Sequence, residues 1–245
     1  MRMPWIMTQR WAHLLYLHYR VDEAHLRSLV PNGLELDVID GSSWVSLIPL
    51  RMEHVHLRDV VPIPTTSQFP ELNLRTYVRY GDTAGVWFLS IDAASFFSTE
   101  IASRIFRLPY RDASMTFQER EVGFHFTSRR DGNEAVRLEV DYLPHGTPGP
   151  PEDGSVLAQL AERYSMFSAR RSGALLRGDI SHDPWQVQQV EVTIGTNTML
   201  DAVGLKPLDD PLMAYSSGTT AVAWPMIGAH RPALPNAAPS AISSK

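Results

Sequence analysis

Residues 69–93 read FPELNLRTYVRYGDTAGVWFLSIDA, two strand-like runs that meet at Gly81-Asp82. A Gly-Asp pair between such runs signals a turn, so LNLRTYVRY and GVWFLSIDA are expected to form one long antiparallel hairpin. Side chains of a strand alternate between its faces. Glu71, Asn73, Arg75, Tyr77 and Arg79 therefore share one face, and Leu72, Leu74, Thr76, Val78 and Tyr80 share the other. Taken alone, this pattern describes a half-exposed strand with a charged face in water. Its partner is apolar on both faces, as in a sheet covered on both sides. If the first strand is covered too, its Glu-Asn-Arg-Tyr row faces a polar interior such as a barrel lumen, where charges must be paired or functional. The hairpin alone leaves both readings open.

Upstream, RWAHLLYLHYRV reads as a long buried strand, followed by a short helix over DEAHLRSL with Asp22 as its N-cap, stopped by Pro31 and Gly33. Strands are expected around LELDVI and SWVSLIPLRMEHVHL, and a loop over the proline-rich VVPIPTTSQFP. Downstream, STEIASRIFRL has helical spacing, with Ser98 as a candidate cap. Strands MTFQER, GFHFTSRR and AVRLEVDYL, a loop PHGTPGPPEDG and a helix SVLAQLAERY follow. The remainder reads as strands near GALLRGDI, WQVQQVEVTI and TAVAWPM, with a short helix around NTMLDAV. Many short strands with a few short helices give an α+β, mainly antiparallel β domain. We expect a single domain over residues 1–225 and a disordered Ala/Pro/Ser-rich tail over 226–245.

Composition excludes several functions. A net charge of −5 offers no electrostatic footprint for nucleic acid. The chain has no cysteine, hence no disulfide, thiolate metal site or cysteine nucleophile. No run approaches the ~20 apolar residues of a membrane span, and the N-terminus lacks a signal-peptide core, so a cytoplasmic protein without membrane partners is expected. Gly-x-Ser-x-Gly elbows, phosphate loops and dinucleotide fingerprints are missing, and no cofactor is implied. His54 and His56 have a spacing that a metal could use, but no third ligand lies nearby in sequence, so no metal site is assigned. His182-Asp183-Pro184-Trp185 reads as a turn rather than a catalytic pair.

Several segments, in order, resemble one family: PWIMTQRW, VPNGLELDVIDGSSWVSLIPLRMEHV, FPELNLRTYV and LPYRDASM, with ERYSMF and SHDPWQV further on. Over roughly residues 4–225 the chain looks like the YqjF-like domain of unknown function, placed in the acetoacetate decarboxylase-like superfamily. The resemblance implies a cone-shaped antiparallel β-barrel with flanking short helices and a small buried pocket. Related barrels assemble, so a homo-oligomer is compatible with it. In the decarboxylases an aromatic-x-Glu segment places a glutamate in the pocket, which Phe69-Pro70-Glu71 matches. A later Pro-Lys-Lys segment supplies the Schiff-base lysine and a second lysine that lowers its pKa. Here Pro109-Tyr110-Arg111 stands instead.

The only lysines are Lys206 and the terminal Lys245, against twenty arginines. Arginine cannot replace a Schiff-base lysine, because its guanidinium stays protonated and is not a nucleophile. Imine-based decarboxylation, aldol chemistry and dehydration are therefore not carried over. Glu71 and Tyr110 become the candidate catalytic pair: a desolvated glutamate as acid or base, and a phenol as donor to a carbonyl or carboxylate. Asn73, Arg75 and Arg111 are candidate ligand-binding residues, with Arg75 suited to a carboxylate or, alternatively, to an internal salt bridge with Glu71. The expected partner is a small organic acid or aromatic molecule in a buried pocket. An acid–base enzyme without an imine and a structural barrel with a vestigial pocket are the alternatives.

Overall fold

The computed structural model describes residues 4–58, 68–94 and 107–230. Among them are strands β1 (Met7–Val21), β2 (Glu35–Leu36), β3 (Ser43–Leu57), β4 (Gln68–Tyr80), β5 (Thr83–Ala93), β6 (Tyr110–Glu119) and β7 (Phe124–Arg130). They continue with β8 (Arg137–Gly149), β9 (Ser165–Ala169), β10 (Leu175–His182), β11 (Val187–Asn197), β12 (Leu212–Ala223) and β13 (Ile227–Gly228). Two short helices, α1 (Glu23–Ser28) and α2 (Val156–Ala161), and a 3₁₀ turn at Asp201–Val203 complete the set. The mainly antiparallel architecture with few short helices is the expected one.

The sheet closes on itself. Strands β12, β1, β3, β4, β5, β9 and β10 are paired in that order, and β10 returns to β12. A second circuit leaves β5 through β6, β7, β8 and β11 and rejoins at β12. Strands β1, β3 and β4 thus separate two interiors. On one face Leu15, Leu17, Val45, Leu47, Leu72 and Leu74 pack against Phe126, Leu138, Val140 and Tyr142. Each such fully buried side chain contributes about 1.5–3 kcal/mol. The other face carries Leu14, Tyr16, Ile48 and Leu50 against Trp185, and Trp44 and Tyr77 against Met166. Helix α2 lies across this second interior, with Leu157 and Ala161 in one cluster and Val156 and Leu160 in the next.

The β4–β5 hairpin forms as expected, with Tyr80 opposite Thr83 and Gly81 at φ 56 in the two-residue turn. The register of β4 on β3 runs unbroken from Gln68 to Thr76, so the alternation along β4 holds. On β5 it changes. Leu74 faces Ser90 while Arg75 faces Phe88, which makes Leu89 a bulge residue. Val86 and Phe88 before the bulge and Ile91 and Ala93 after it therefore turn to the same interior. This is why the run reads as apolar on both faces.

Other expectations need correction. The loop expected at PHGTPGPPEDG is half strand: β8 continues to Gly149 and pairs with β11. Beyond Tyr142, β8 has β11 alone as a neighbour, so Pro144 and Pro148 remove no ladder donor on a second side. Strand β9, SMFSA, was not anticipated. The domain boundary at residue 225 falls short, because Ile227 and Gly228 pair with β10 and Ala229 is buried. Residues 231–245 of the expected tail, most of the expected helix STEIASRIFRL and most of the loop VVPIPTTSQFP lie outside the described residues. No helix among the described residues is long and apolar enough to cross a membrane.

Helix α1 begins where its cap predicts, the Asp22 carboxylate accepting a 2.9 Å hydrogen bond from the His25 N–H. Asp22→Ala is expected to cost about 1 kcal/mol, read as a small drop in urea midpoint with unchanged slope.

Candidate functional site

The inward row of β4 carries Glu71, Asn73, Arg75 and Tyr77, and neighbouring strands bring other polar groups beside it. Across β3, Ser46 opposes Arg75, and Ser46 in turn opposes His18 of β1. Across β5, Asn73 opposes Ile91, which opposes Tyr110 at the start of β6. Tyr110 joins the same two inner clusters. The row thus faces the closed interior, not solvent.

Glu71 is 5% exposed, and its carboxyl is hydrogen-bonded to Asn73 and Tyr110. Burial pushes it up to about 7, against the smaller opposing pull of these two hydrogen bonds. Burial, reinforced by the neighbouring Glu71, raises the Tyr110 phenol well above its ordinary value. The two residues first paired by resemblance are therefore in contact. Around neutral pH Glu71 exchanges between acid and carboxylate, while Tyr110 stays a phenol.

Arg75 does not pair with Glu71. Its Nη2 donates to the Leu160 carbonyl of α2 at 3.3 Å, and its guanidinium lies 5.7 Å from the Tyr77 ring centroid. Among the described residues no carboxylate pairs with it. Arg163 lies at 5.2 Å from the same ring and is held by Asp37 at 2.5 Å. Arg111 is a correction. It is exposed and opposes Asp92 on β5, because consecutive strand residues point to opposite faces and Tyr110 takes the inward one. It does not line this interior.

Two residues were not singled out by sequence. Tyr16 and His18 are 1% and 0% exposed and stand on the inner face of β1, their rings stacked at 5.5 Å. His18 Nδ1 is 2.5 Å from Ser46 Oγ, and Ser46 Oγ is 2.5 Å from the Tyr77 hydroxyl. Burial, with Arg75 adding to it, lowers His18 to about 3, so the imidazole is neutral. Alternation Leu14-x-Tyr16-x-His18 within a strand read as buried was the signal available. Four atoms of this interior have no hydrogen-bond partner among the described residues: Tyr16 Oη, His18 Nε2, Asn73 Oδ1 and Arg75 Nε.

The remaining motifs stand apart. His54 and His56 are exposed, His54 sits at φ 49, and no cluster of three potential metal ligands exists among the described residues. His182 Nδ1 donates to the Asp183 carbonyl at 2.7 Å, and its ring stacks on Tyr164 at 4.7 Å. A pocket of about 330 Å³ lined by Leu29, Trp87, Leu89, Pro109 and Phe167 includes neither Glu71 nor Tyr110.

Comparison with known proteins agrees with this architecture. The model of the DUF2071 family, described as an uncharacterized conserved protein (COG2071), matches residues 8–220. The chain is 36% identical over 223 residues to the uncharacterized protein YqjF of Bacillus subtilis (strain 168), covering 91% of this chain and 92% of that one. Among solved structures, the enduracididine biosynthesis enzyme MppR complexed with pyruvate superposes with a TM-score of 0.66 at 13% identity, covering 93% of this chain and 91% of the other. An acetoacetate decarboxylase from Legionella pneumophila superposes with a TM-score of 0.62 at 12% identity, over 90% of this chain and 87% of the other. At such identities the likeness is one of fold. The family match and the near-full-length relative establish that the chain belongs to the DUF2071 family, on an acetoacetate decarboxylase-like fold.

Proposed function

We propose that the protein binds a small organic acid or aromatic molecule inside the closed ring of strands, at Glu71, Tyr110 and Asn73. The observation that carries this reading is the buried carboxyl of Glu71, raised to about 7 and held by a phenol and an amide with no cation paired to it. A stability-driven interior would place an apolar residue there, since burying an acid is costly. Tyr110 at the place of the imine-forming lysine gives the site a hydrogen-bond donor in place of a nucleophile. A purely structural barrel would have polar groups that satisfy one another, which the four unpartnered atoms do not do.

A second reading, non-imine acid–base catalysis by a hydrolase, isomerase or lyase, draws on the same carboxyl. A group that titrates near 7 is suited to proton transfer at neutral pH. In that case Glu71→Gln abolishes turnover while affinity stays within about tenfold.

The test is a thermal-shift screen of carboxylic acids and aromatics, run beside Glu71→Gln and Tyr110→Phe. A ligand at a hundred times its Kd stabilises by about 2.7 kcal/mol, which moves the midpoint by roughly 5–10 °C for a domain of this size. Shifts seen in the wild-type protein and lost in both variants are the expected result. Shifts that persist unchanged in both variants would place the ligand elsewhere and overturn the assignment.

A further inference from the structure

The unpartnered atoms fall into two chemically distinct groups. The first gathers around His18. The Tyr77 hydroxyl has Ser46 Oγ at 2.5 Å and His18 Nδ1 at 3.2 Å as its neighbours, and Ser46 Oγ lies 2.5 Å from the same Nδ1. A chain running Tyr77 to Ser46 to Nδ1 gives both hydroxyl protons an acceptor and leaves the imidazole N–H at Nε2. The reverse chain strands the Tyr77 proton. We assign the imidazole as the Nε2–H tautomer, the one that satisfies both hydroxyls of the network, and its N–H has no acceptor among the described residues. The Tyr16 hydroxyl and the Arg75 Nε–H are likewise without one. Arg75 lies close enough to both Tyr16 and His18 to influence their ionisation. Tyr16 and His18 stack at 5.5 Å and Arg75 stands across Ser46 from His18, so the three donors belong to one end of the interior, with a single positive charge among them.

The second group is the opposite in kind. Asn73 gives its amide N–H to Glu71 and leaves Oδ1, an acceptor, without a partner. Asn73 and Arg75 are successive inward positions on β4, roughly 7 Å apart along the strand.

We propose that Tyr16, His18 and Arg75 form an anion subsite that takes one carboxylate, and that Asn73 Oδ1 accepts a hydrogen bond from a hydroxyl or N–H at the ligand's other end. The ligand class is then a small monocarboxylate carrying a hydrogen-bond donor. This deepens the reading of the ring interior as a binding site and rests on it. Glu162 stands near Tyr16 but is engaged by the Tyr164 hydroxyl and the Trp185 N–H, and one cation with two neutral donors matches one negative charge. A phosphate monoester brings nearly two, and the second would be buried without a counter-charge. A keto acid or a plain fatty acid would leave the Asn73 oxygen unsatisfied, which is the kind of mismatch that discriminates strongly in a buried site.

The experiment is calorimetric titration of 3- and 4-hydroxybutyrate, with butyrate, acetoacetate, the hydroxybutyramides, a short alkyl phosphate and the uncharged aromatics phenol and benzyl alcohol as controls. The wild-type protein is expected to bind a hydroxybutyrate at least tenfold more tightly than its amide, butyrate, acetoacetate or the phosphate. Tyr16→Phe weakens the hydroxy acid about tenfold and leaves the amide within about threefold. Arg75→Leu erases the preference for acid over amide, and Asn73→Leu erases the preference for hydroxybutyrate over butyrate. Acid and amide binding equally well to the wild-type protein would overturn the subsite. So would an unchanged acid affinity in Tyr16→Phe, the variant that loses one oxygen and is least exposed to folding failure. Uncharged aromatics binding while every acid fails would sink the anion subsite and keep the binding interior. Failure of every compound, aromatics included, would sink both.

Discussion

Glu71→Gln is expected to be more stable than the wild-type protein at pH 8, by about 3 kcal/mol, and equal to it near pH 4. The native carboxyl holds its proton up to about 7, whereas the ordinary value is 4.5. Between these values the native state binds a proton that the unfolded chain has released. Stability of the wild-type protein must therefore fall as pH rises from 4.5 to 7, and this contribution is flat on either side. At ~1.36 kcal/mol per pH unit the fall is about 3 kcal/mol. Glutamine resembles the protonated acid, can still bond Tyr110 and Asn73, and has nothing to ionise. Thermal unfolding of both proteins from pH 4 to 8 should show curves that coincide in acid and separate by roughly 6–12 °C in base. Parallel curves would mean that Glu71 ionises without a burial cost and is not the desolvated acid described above.

The largest loss is expected at Asp92→Ala, about 3–5 kcal/mol. Asp92 is 0% exposed and is gripped by Arg130, Nη2 to Oδ1 at 2.8 Å and Nε to Oδ2 at 3.1 Å. Arg130 Nη2 also donates to Ser90 at 3.0 Å. Truncating the carboxylate leaves a largely buried guanidinium without its counter-charge, the costly half of such a pair. The bond also joins β5 to β7 across the second circuit of strands, so its loss loosens the packing between them. Chemical unfolding of Asp92→Ala, Arg130→Met and the double variant should show the double losing clearly less than the two singles summed. A single-variant loss below about 1 kcal/mol would mark the pair as a solvated surface contact.

Much of the fold was legible because its signals are local. Gly81-Asp82 and the flanking alternation contain the hairpin, and Asp22 with the apolar spacing after it contains α1. Glu71 and Tyr110 were found through resemblance, and their contact is a matter of register that neither segment states alone. Resemblance also suggested Arg111, yet the residue beside Tyr110 must point to the opposite face. No local signal ties Tyr16 and His18 to the site. They lie far from Arg75 in sequence, and only the pairing of β1 with β3 and of β3 with β4 brings them together. The bulge at Leu89 and the extension of β8 are likewise set by partners, not by the residues themselves.

Strands β1, β3 and β4 serve two interiors at once, one residue facing the leucine core and the next facing the ring that holds the polar row. A one-residue slip of β4 would carry Glu71, Asn73 and Arg75 into the leucine core and Leu72 and Leu74 into the ring. Insertions there should be eliminated by selection. Substitutions at the polar positions of the ring side alone meet no such barrier, because they leave in place the leucine core on the other face and the apolar clusters around Leu14, Ile48 and Leu50 on this one. Ligand chemistry can therefore drift while the scaffold stays, and Tyr110, where the resemblance implies a lysine, is one step such drift would permit. In lineages built on this fold, specificity and foldability are inherited on alternate residues of the same strand, and so can be altered one without the other.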